Sequence, residues 1–459
     1  MTDEQPTKPP KRSSRLRRSA GSPPPEPTPE ASVPRELRGR KPGDRRIRVE
    51  RPESQYFRYT PTGALEARPK AHEEKGALGR FRAAGRRALF GRPLATAEEI
   101  GERLSKVKAL AIFSSDAISS SAYATEEILR VLVVAGAVAF TLSLEVAIAI
   151  AILLAFVSTS YRQIGYAYPH GGGAYAVAKE NLGRYASLVA AAALLVDYIL
   201  TVAVSTSSAV AQITSALPEL LAWTVPLGVL FIIIMTLGNL RGMRESGNIF
   251  ALPTYLFVGG ALLMIGIGAF RIIFEGAGVE AVNPVPGAPT PLQAVTVLLL
   301  LRAFASGSVA LTGVEAVANG VPAFKPPESR NAATTLTVMA ALLAILFVGI
   351  TFLADSFAIV PNDEMTVVAQ VAGTVFGADT IGFYLFQTFT ALILILAANT
   401  SFAAFPRLAA ILAEDYYFPR NFAYRGDRLA YTAGIVVLAG VAALLLIAFS
   451  GDVHALIPL

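Results

Sequence analysis

Two carboxylates sit where a carboxylate is hardest to keep. Asp116 lies in the run FSSDAISSSAYATEE, Phe113 to Glu127, and Glu315 in ASGSVALTGVEAVANG, Ala305 to Gly320. Both runs are long apolar stretches interrupted near the middle by serine and glycine. A charge inside such a stretch costs about 2.5–3.5 kcal/mol on membrane-insertion scales, so each carboxylate must be neutral or answered by a cation. A bound metal ion or a proton is the economical partner; a buried hydrogen bond that clamps the interruption is the plainer alternative. Other oxygen donors gather nearby in the pattern. Tyr198, Thr201 and Ser205 follow one another at steps of three and four, on one helical face, with Asp197 on an adjacent direction, and Thr312 stands three before Glu315. Asp116, Tyr123, Thr201, Ser205, Thr312 and Glu315 are therefore the candidate ion-binding residues. Ser119, Ser120, Tyr198 and Gly313 stand behind them, and the interruptions free carbonyls near Ser119 and Gly313. A hard cation sheds its water only where oxygens replace it. Soft and imidazole ligands are scarce: the chain has no cysteine and three scattered histidines, His72, His170 and His454.

The elements that must position these groups are membrane spans. Hydrophobic residues make up 53% and charged residues 16% of the 459-residue chain, well below the roughly 25% charged of a soluble domain, and the mean hydropathy is +0.50. Runs of bilayer-spanning length are expected at 107–133, 139–161, 184–214, 220–240, 248–272, 291–318, 332–356, 379–411 and 430–450, with a tenth starting near Val453. The transporter domain is thus 106–459, nine spans and the start of a tenth, and the chain is expected to be C-terminally incomplete. Residues 1–100 are a different material, with 23 Lys and Arg against 13 Asp and Glu, while the rest carries 17 against 21. Residues 1–73 read as a disordered, basic, proline-rich tail. Residues 74–105 read as a basic juxtamembrane segment, either helical along the lipid surface or a solvated linker. No nucleic-acid motif and no secretory leader pattern accompanies the basic charge.

Loop charge sets the orientation. The loops after even-numbered spans hold Arg162, Lys179, Arg184, Arg241, Arg244, Lys325, Arg330, Arg420, Arg425 and Arg428. Those after odd-numbered spans hold Arg271 alongside Glu219, Glu275, Glu280, Asp363, Glu364 and Asp452, with Arg130 a mild exception at the end of span one. The expected arrangement is a multi-pass inner-membrane protein with its N-terminus in the cytoplasm. Glu126, Glu127 and Glu145 read as carboxylates at the outer boundary, and Arg302 as structural. The interrupted runs fall five spans apart, hence with opposite topology. That is the sequence mark of paired broken helices in an inverted repeat that encloses a substrate site. The spans hold no nucleophile–base pair, so no enzyme and no cofactor is expected. The glycine loop Tyr168–Tyr175 lacks the spacing of a phosphate loop and reads as a shaped connection on the cytoplasmic side.

Three runs carry a resemblance: SSDAISSSAY at 114–123, YPHGGGAY at 168–175 and TGVEAVANGVPAF at 312–324. From about residue 100 onward the chain resembles the KimA-type potassium importers of the amino acid–polyamine–organocation superfamily. The resemblance implies an all-α fold with a LeuT-like five-plus-five inverted repeat, broken in helices one and six. It implies proton-coupled potassium uptake, with potassium held at Asp116, Tyr123, Thr201, Ser205, Thr312 and Glu315 and the coupling proton on Glu315 or Asp116. It further implies twelve spans, a C-terminal domain that mediates dimer contact, and cyclic-dinucleotide control. The rival within the superfamily is an amino-acid or polyamine permease. An amino-acid carboxylate would be repelled by Asp116 in a break without glycine, whereas a polyamine would tolerate it.

Overall fold

The structure is a computed structural model. It describes residues 104–169, 173–241, 247–275, 293–424 and 431–458, and four short strands between Leu37 and Ala67. The chain divides into two units, residues 1–77 and 78–459. In the first, β1 (Leu37–Arg38) pairs antiparallel with β2 (Arg45–Arg46), and β3 (Phe57–Tyr59) with β4 (Leu65–Ala67). These ribbons fall within the stretch expected to be disordered, and a lone two-stranded hairpin is marginal in water. The remainder of the tail, and the juxtamembrane segment as far as residue 103, lie outside the described residues.

The second unit is helical. Its elements are α1 (Lys106–Phe113), α2 (Ser115–Ser119), α3 (Ala124–Leu132), α4 (Ala137–Phe140), α5 (Ser143–Ala167), α6 (Gly173–Asn181), α7 (Arg184–Ala216), α8 (Thr224–Leu240) and α9 (Gly247–Glu275). Then come α10 (Val297–Gly307), α11 (Glu315–Asn319), α12 (Glu328–Ser356), α13 (Val367–Phe376), α14 (Ile381–Glu414), α15 (Thr432–Ala448) and α16 (Val453–Leu456). Among the described residues, seven helical stretches are long and apolar enough to cross a membrane, and α15 is a shorter apolar helix. Together with the interrupted α1–α3 these occupy the nine expected spans. Two helices were not expected: α6 in the glycine-loop connection, and α13 between spans seven and eight.

Three long pairings organise the bundle: α14 on α7, α12 on α5, and α15 on α8. The α14–α15 approach is close enough that a Cβ on Gly434 would meet the Pro406 Cα at 2.8 Å. Pro406 lies inside α14, where it removes a helix hydrogen bond and bends the axis. At one end of the bundle the backbone of Leu104 pairs with Ala323 and Lys325 (2.8 and 3.0 Å), tying the start of α1 to the segment after α11.

Both interruptions occur where expected, in spans one and six. In the first, α1 stops at a bend on Ser114, α2 runs for five residues, and a 3₁₀ turn at Ser120–Ala122 leads to Tyr123 with φ −126°. The run of serines explains how such backbone survives in an apolar setting, where every freed carbonyl needs a donor. Ser114 and Ser115 hydroxyls donate back to Leu110 and Ile112, Ser119 to Asp116 O (2.8 Å), Ser120 to Ala117 O (2.6 Å) and Ser121 to Ile118 O (2.7 Å). In the second, α10 passes through a 3₁₀ turn at Ser308–Leu311. Thr312 is extended and Gly313 has φ +77° before α11 begins at Glu315. Ser120 joins the two breaks, since its hydroxyl also lies 3.0 Å from Ala310 O. Ser120→Ala removes the one hydroxyl hydrogen these two buried carbonyls share and should lower stability by about 1–3 kcal/mol, read as a fall in the thermal unfolding temperature of the purified protein in detergent.

Candidate ion site

The two breaks touch at Asp116. A Cβ placed on Gly313 would lie 2.7 Å from Asp116 Cγ and 2.8 Å from the Ala117 amide nitrogen. Gly313 thus serves twice: it takes a positive φ that side chains resist, and it lets the second break lie against the first. Asp116 is 4% exposed. Its Oδ2 accepts from Thr400 Oγ1 on α14 at 3.3 Å, but that hydroxyl has one hydrogen and lies closer, at 2.7 Å, to Ala397 O. Asp116 Oδ1 is buried with no hydrogen-bond partner among the described residues. A buried carboxylate this poorly satisfied must be neutral or answered by a cation.

A cavity of about 130 Å³ opens from this point. Asp116, Glu315, Tyr198, Asn319, Thr400 and Arg407 contribute its polar lining, amid apolar residues such as Ile112, Leu194 and Leu408. Glu315 enters it from the first position of α11 and is 9% exposed. Asp197 on α7 lies within electrostatic reach of both Asp116 and Glu315. Among the described residues no three Asp, Glu or His side chains converge as a metal-ligand group. Beside the two carboxylates the lining offers neutral hydroxyl and amide oxygens, hard donors suited to a hard cation.

The expected residues divide into those the cavity gathers and those it does not. Asp116, Glu315 and Tyr198 line it. Tyr123 and Thr312 meet each other across the two breaks, outside the cavity wall, with the Thr312 hydroxyl donating to Val309 O at 3.0 Å. Thr201 and Ser205 are buried on α7, about one and two turns beyond Tyr198. They do not line the cavity, and Ser205 Oγ has no partner among the described residues. The Ser119 and Ser120 hydroxyls donate to backbone carbonyls, and the Gly313 carbonyl accepts the Ala316 amide at 3.2 Å; each of these oxygens keeps a lone pair beyond that contact.

Sequence reasoning missed Thr400, Asn319 and Arg407. Asn319 Nδ2 donates to the Tyr198 hydroxyl at 3.3 Å, and Asn319 also packs against Gly173, the first residue of α6. Its signal was available, since an amide in the apolar run VEAVANGV carries the same implication as a carboxylate. Thr400 gave none, being one threonine among many in a long span. His170, Gly171 and Gly172 of the glycine loop lie outside the described residues, but the loop's continuation closes one end of the molecule. Tyr175 and Lys179 of α6 both donate to Asp415 Oδ2 beyond the end of α14, at 2.5 and 2.6 Å.

A family model described as amino acid permease matches residues 104–459, which contain both breaks and every residue of the cavity. The chain belongs to the amino acid permease family. Over 374 residues it is also 49% identical to the potassium transporter KimA of Bacillus subtilis (strain 168), a match covering 82% of this chain and 61% of that protein. The chain thus spans about three-fifths of the length of that relative. Permease membership accounts for the apolar spans and makes the chain a multi-pass membrane protein, with paired broken helices as a LeuT-like fold requires.

Two outcomes follow from this geometry. Gly313→Ala must either abandon φ +77° or push Asp116 aside, so it should cost about 1–3 kcal/mol of stability and disturb ion binding more than a surface Gly→Ala, measured by calorimetry with and without potassium. At the far end, the Lys179 and Tyr175 hydrogen bonds hold the Asp415 carboxyl below the usual range. A depressed carboxyl stabilises above its unfolded pKa, about 4, and that contribution disappears as pH falls through the lower folded value. Hydrogen-exchange protection of α6 should accordingly be flat from about pH 7 down to about pH 5 and reduced at both in Asp415→Asn.

Proposed function

We propose that this permease imports potassium across the bacterial cytoplasmic membrane, coupled to protons, with its N-terminus in the cytoplasm. The observation that carries the reading is the buried Asp116 carboxylate, one oxygen unpartnered among the described residues, wedged between two broken helices and sharing its cavity with Glu315. Support for potassium as the cargo comes from the 49% identical potassium transporter and from the mixed carboxylate, hydroxyl and amide oxygens of the site. Support for the orientation comes from the basic loops that follow even-numbered spans.

In this reading the ion leaves its water for Asp116 and the oxygens beside it, and Tyr123, Thr201, Ser205 and Thr312 hold it in the conformation open to the other side. Glu315, or Asp116 itself, carries the coupling proton. At membrane depth a second carboxylate is tolerated only when a cation or a proton answers it. The two breaks move against the remaining spans to change the side of access. Dimerisation through a further C-terminal domain belongs to the same reading. An organic cation such as a polyamine is the reading to be excluded, because Asp116 does not discriminate against it on charge alone.

The test is rubidium uptake by the full-length protein in cells lacking other potassium importers. Asp116→Asn should abolish uptake, and excess spermidine should leave wild-type uptake unchanged. Wild-type uptake in the variant would refute the role of Asp116, and strong spermidine competition would favour the polyamine reading.

A further inference from the structure

At the opposite end of the bundle from Asp415, a second group of charged side chains is buried and plays no part in the ion site. The His454 ring, on α16, sits between two carboxylates of α3. Its Nδ1 is 2.5 Å from Glu127 Oε1, and its Nε2 is 3.2 Å from Glu126 Oε1. Glu126 and Glu127 are 2% and 4% exposed. A neutral imidazole has one N–H and one bare nitrogen, and an ionised carboxylate can only accept. Both ring nitrogens face carboxylate oxygens, so the trio holds one proton more than three neutral-pH side chains would carry by default. The remaining carboxylate oxygens are already acceptors: Glu126 Oε2 takes the Val367 amide at 3.0 Å, and Glu127 Oε2 the Ser306 hydroxyl at 3.2 Å. The extra proton therefore resides on the ring, or is shared with Glu127 across the 2.5 Å contact.

We propose that His454, Glu126 and Glu127 form an exchangeable proton site whose occupancy locks this end of the transporter shut. The lock spans separate elements. Arg130 Nε binds Glu126 Oε1 at 3.1 Å, and its other nitrogens hold Asp363 and the Asn362 carbonyl, at 3.0 and 2.9 Å. Glu126 caps the start of α13 through Val367, and Ser306 brings in α10. With the proton present, two buried carboxylates face two cations. Without it, they face Arg130 alone, and α16 loses its charged tether to α3. The other charged groups nearby do not compensate. Asp363 is 93% exposed and screened, Asp452 accepts the His454 amide at the start of α16, Arg302 of α10 is exposed, and α7, packed on α16, has no charged residue beyond Asp197. Acid should thus close this end and alkali release it. The consequence for transport rests on the function proposed above; the proton-dependent closure does not.

This chain contains no cysteine, so nitroxide labels can be placed by Glu364→Cys, beside Asp363, and Ser450→Cys, just before α16. The distance between them is measured by pulsed electron resonance in the full-length protein in lipid, from about pH 5 to about pH 9 around the ordinary imidazole range. The wild type should show one short distance at the acid end and a growing longer component at the alkaline end. His454→Gln should show the longer component at every pH. A wild-type distance unchanged across the range, or a His454→Gln response equal to wild type, overturns the proposal. If His454→Gln does not fold, the wild-type titration decides alone. A protein with the expected distance response but no rubidium uptake would overturn the proposed function and leave the proton lock standing.

Discussion

Unsatisfied backbone in an apolar medium is the constraint on which this molecule turns. Two helices are interrupted at membrane depth, and each interruption exposes amides and carbonyls that lipid cannot serve. The serine run at 114–121 meets that demand locally, its hydroxyls donating to carbonyls within and across the breaks. The cost of the breaks is then offset by what they make possible. A helix broken at Ser120 and another broken at Gly313 can approach until Gly313 lies on Asp116, a distance two continuous helices with side chains could not reach. The carboxylate trapped in that contact keeps one oxygen without a protein donor among the described residues, and this unmet valence is the chemical opportunity of the site.

Charge is placed in the fold according to the same reasoning. In the middle stand Asp116 and Glu315, with no ion-pair partner among the described residues and one Asp116 oxygen without a donor. At one end, Asp415 is satisfied by Lys179 and Tyr175. At the other, Glu126 and Glu127 are satisfied by Arg130 and His454. The central pair is incomplete, while both end groups are bound to partners that hold the ends of the structure together.

The spans, the paired breaks and the acidic centre were legible from the order of residues because each rests on a local quantity: apolar run length, serine and glycine within a run, a carboxylate without a partner in its own helix. What escaped depends on distance across the chain. Thr400 reaches Asp116 from 284 positions away, and nothing in span eight marks it. That Ser119 and Ser120 turn their hydroxyl hydrogens to backbone carbonyls is likewise invisible in side-chain type. The helices α6 and α13, of nine and ten residues, are too short for any span-length window. Glu126 and Glu127 look like boundary carboxylates in the sequence, since His454, Val367 and Ser306 reach them only on folding.

The contact of Gly434 with the Pro406 backbone bears on how such a bundle could rearrange. With no side chain on one partner and a bent axis on the other, α14 and α15 meet as two surfaces without play between them. Thr400 lies less than two turns before that junction, so a displacement of Asp116 transmitted to α14 would drag its neighbour along. The outline that α14 and α15 present to the lipid would then change with any such shift, so the two helices answer to the bilayer as one body.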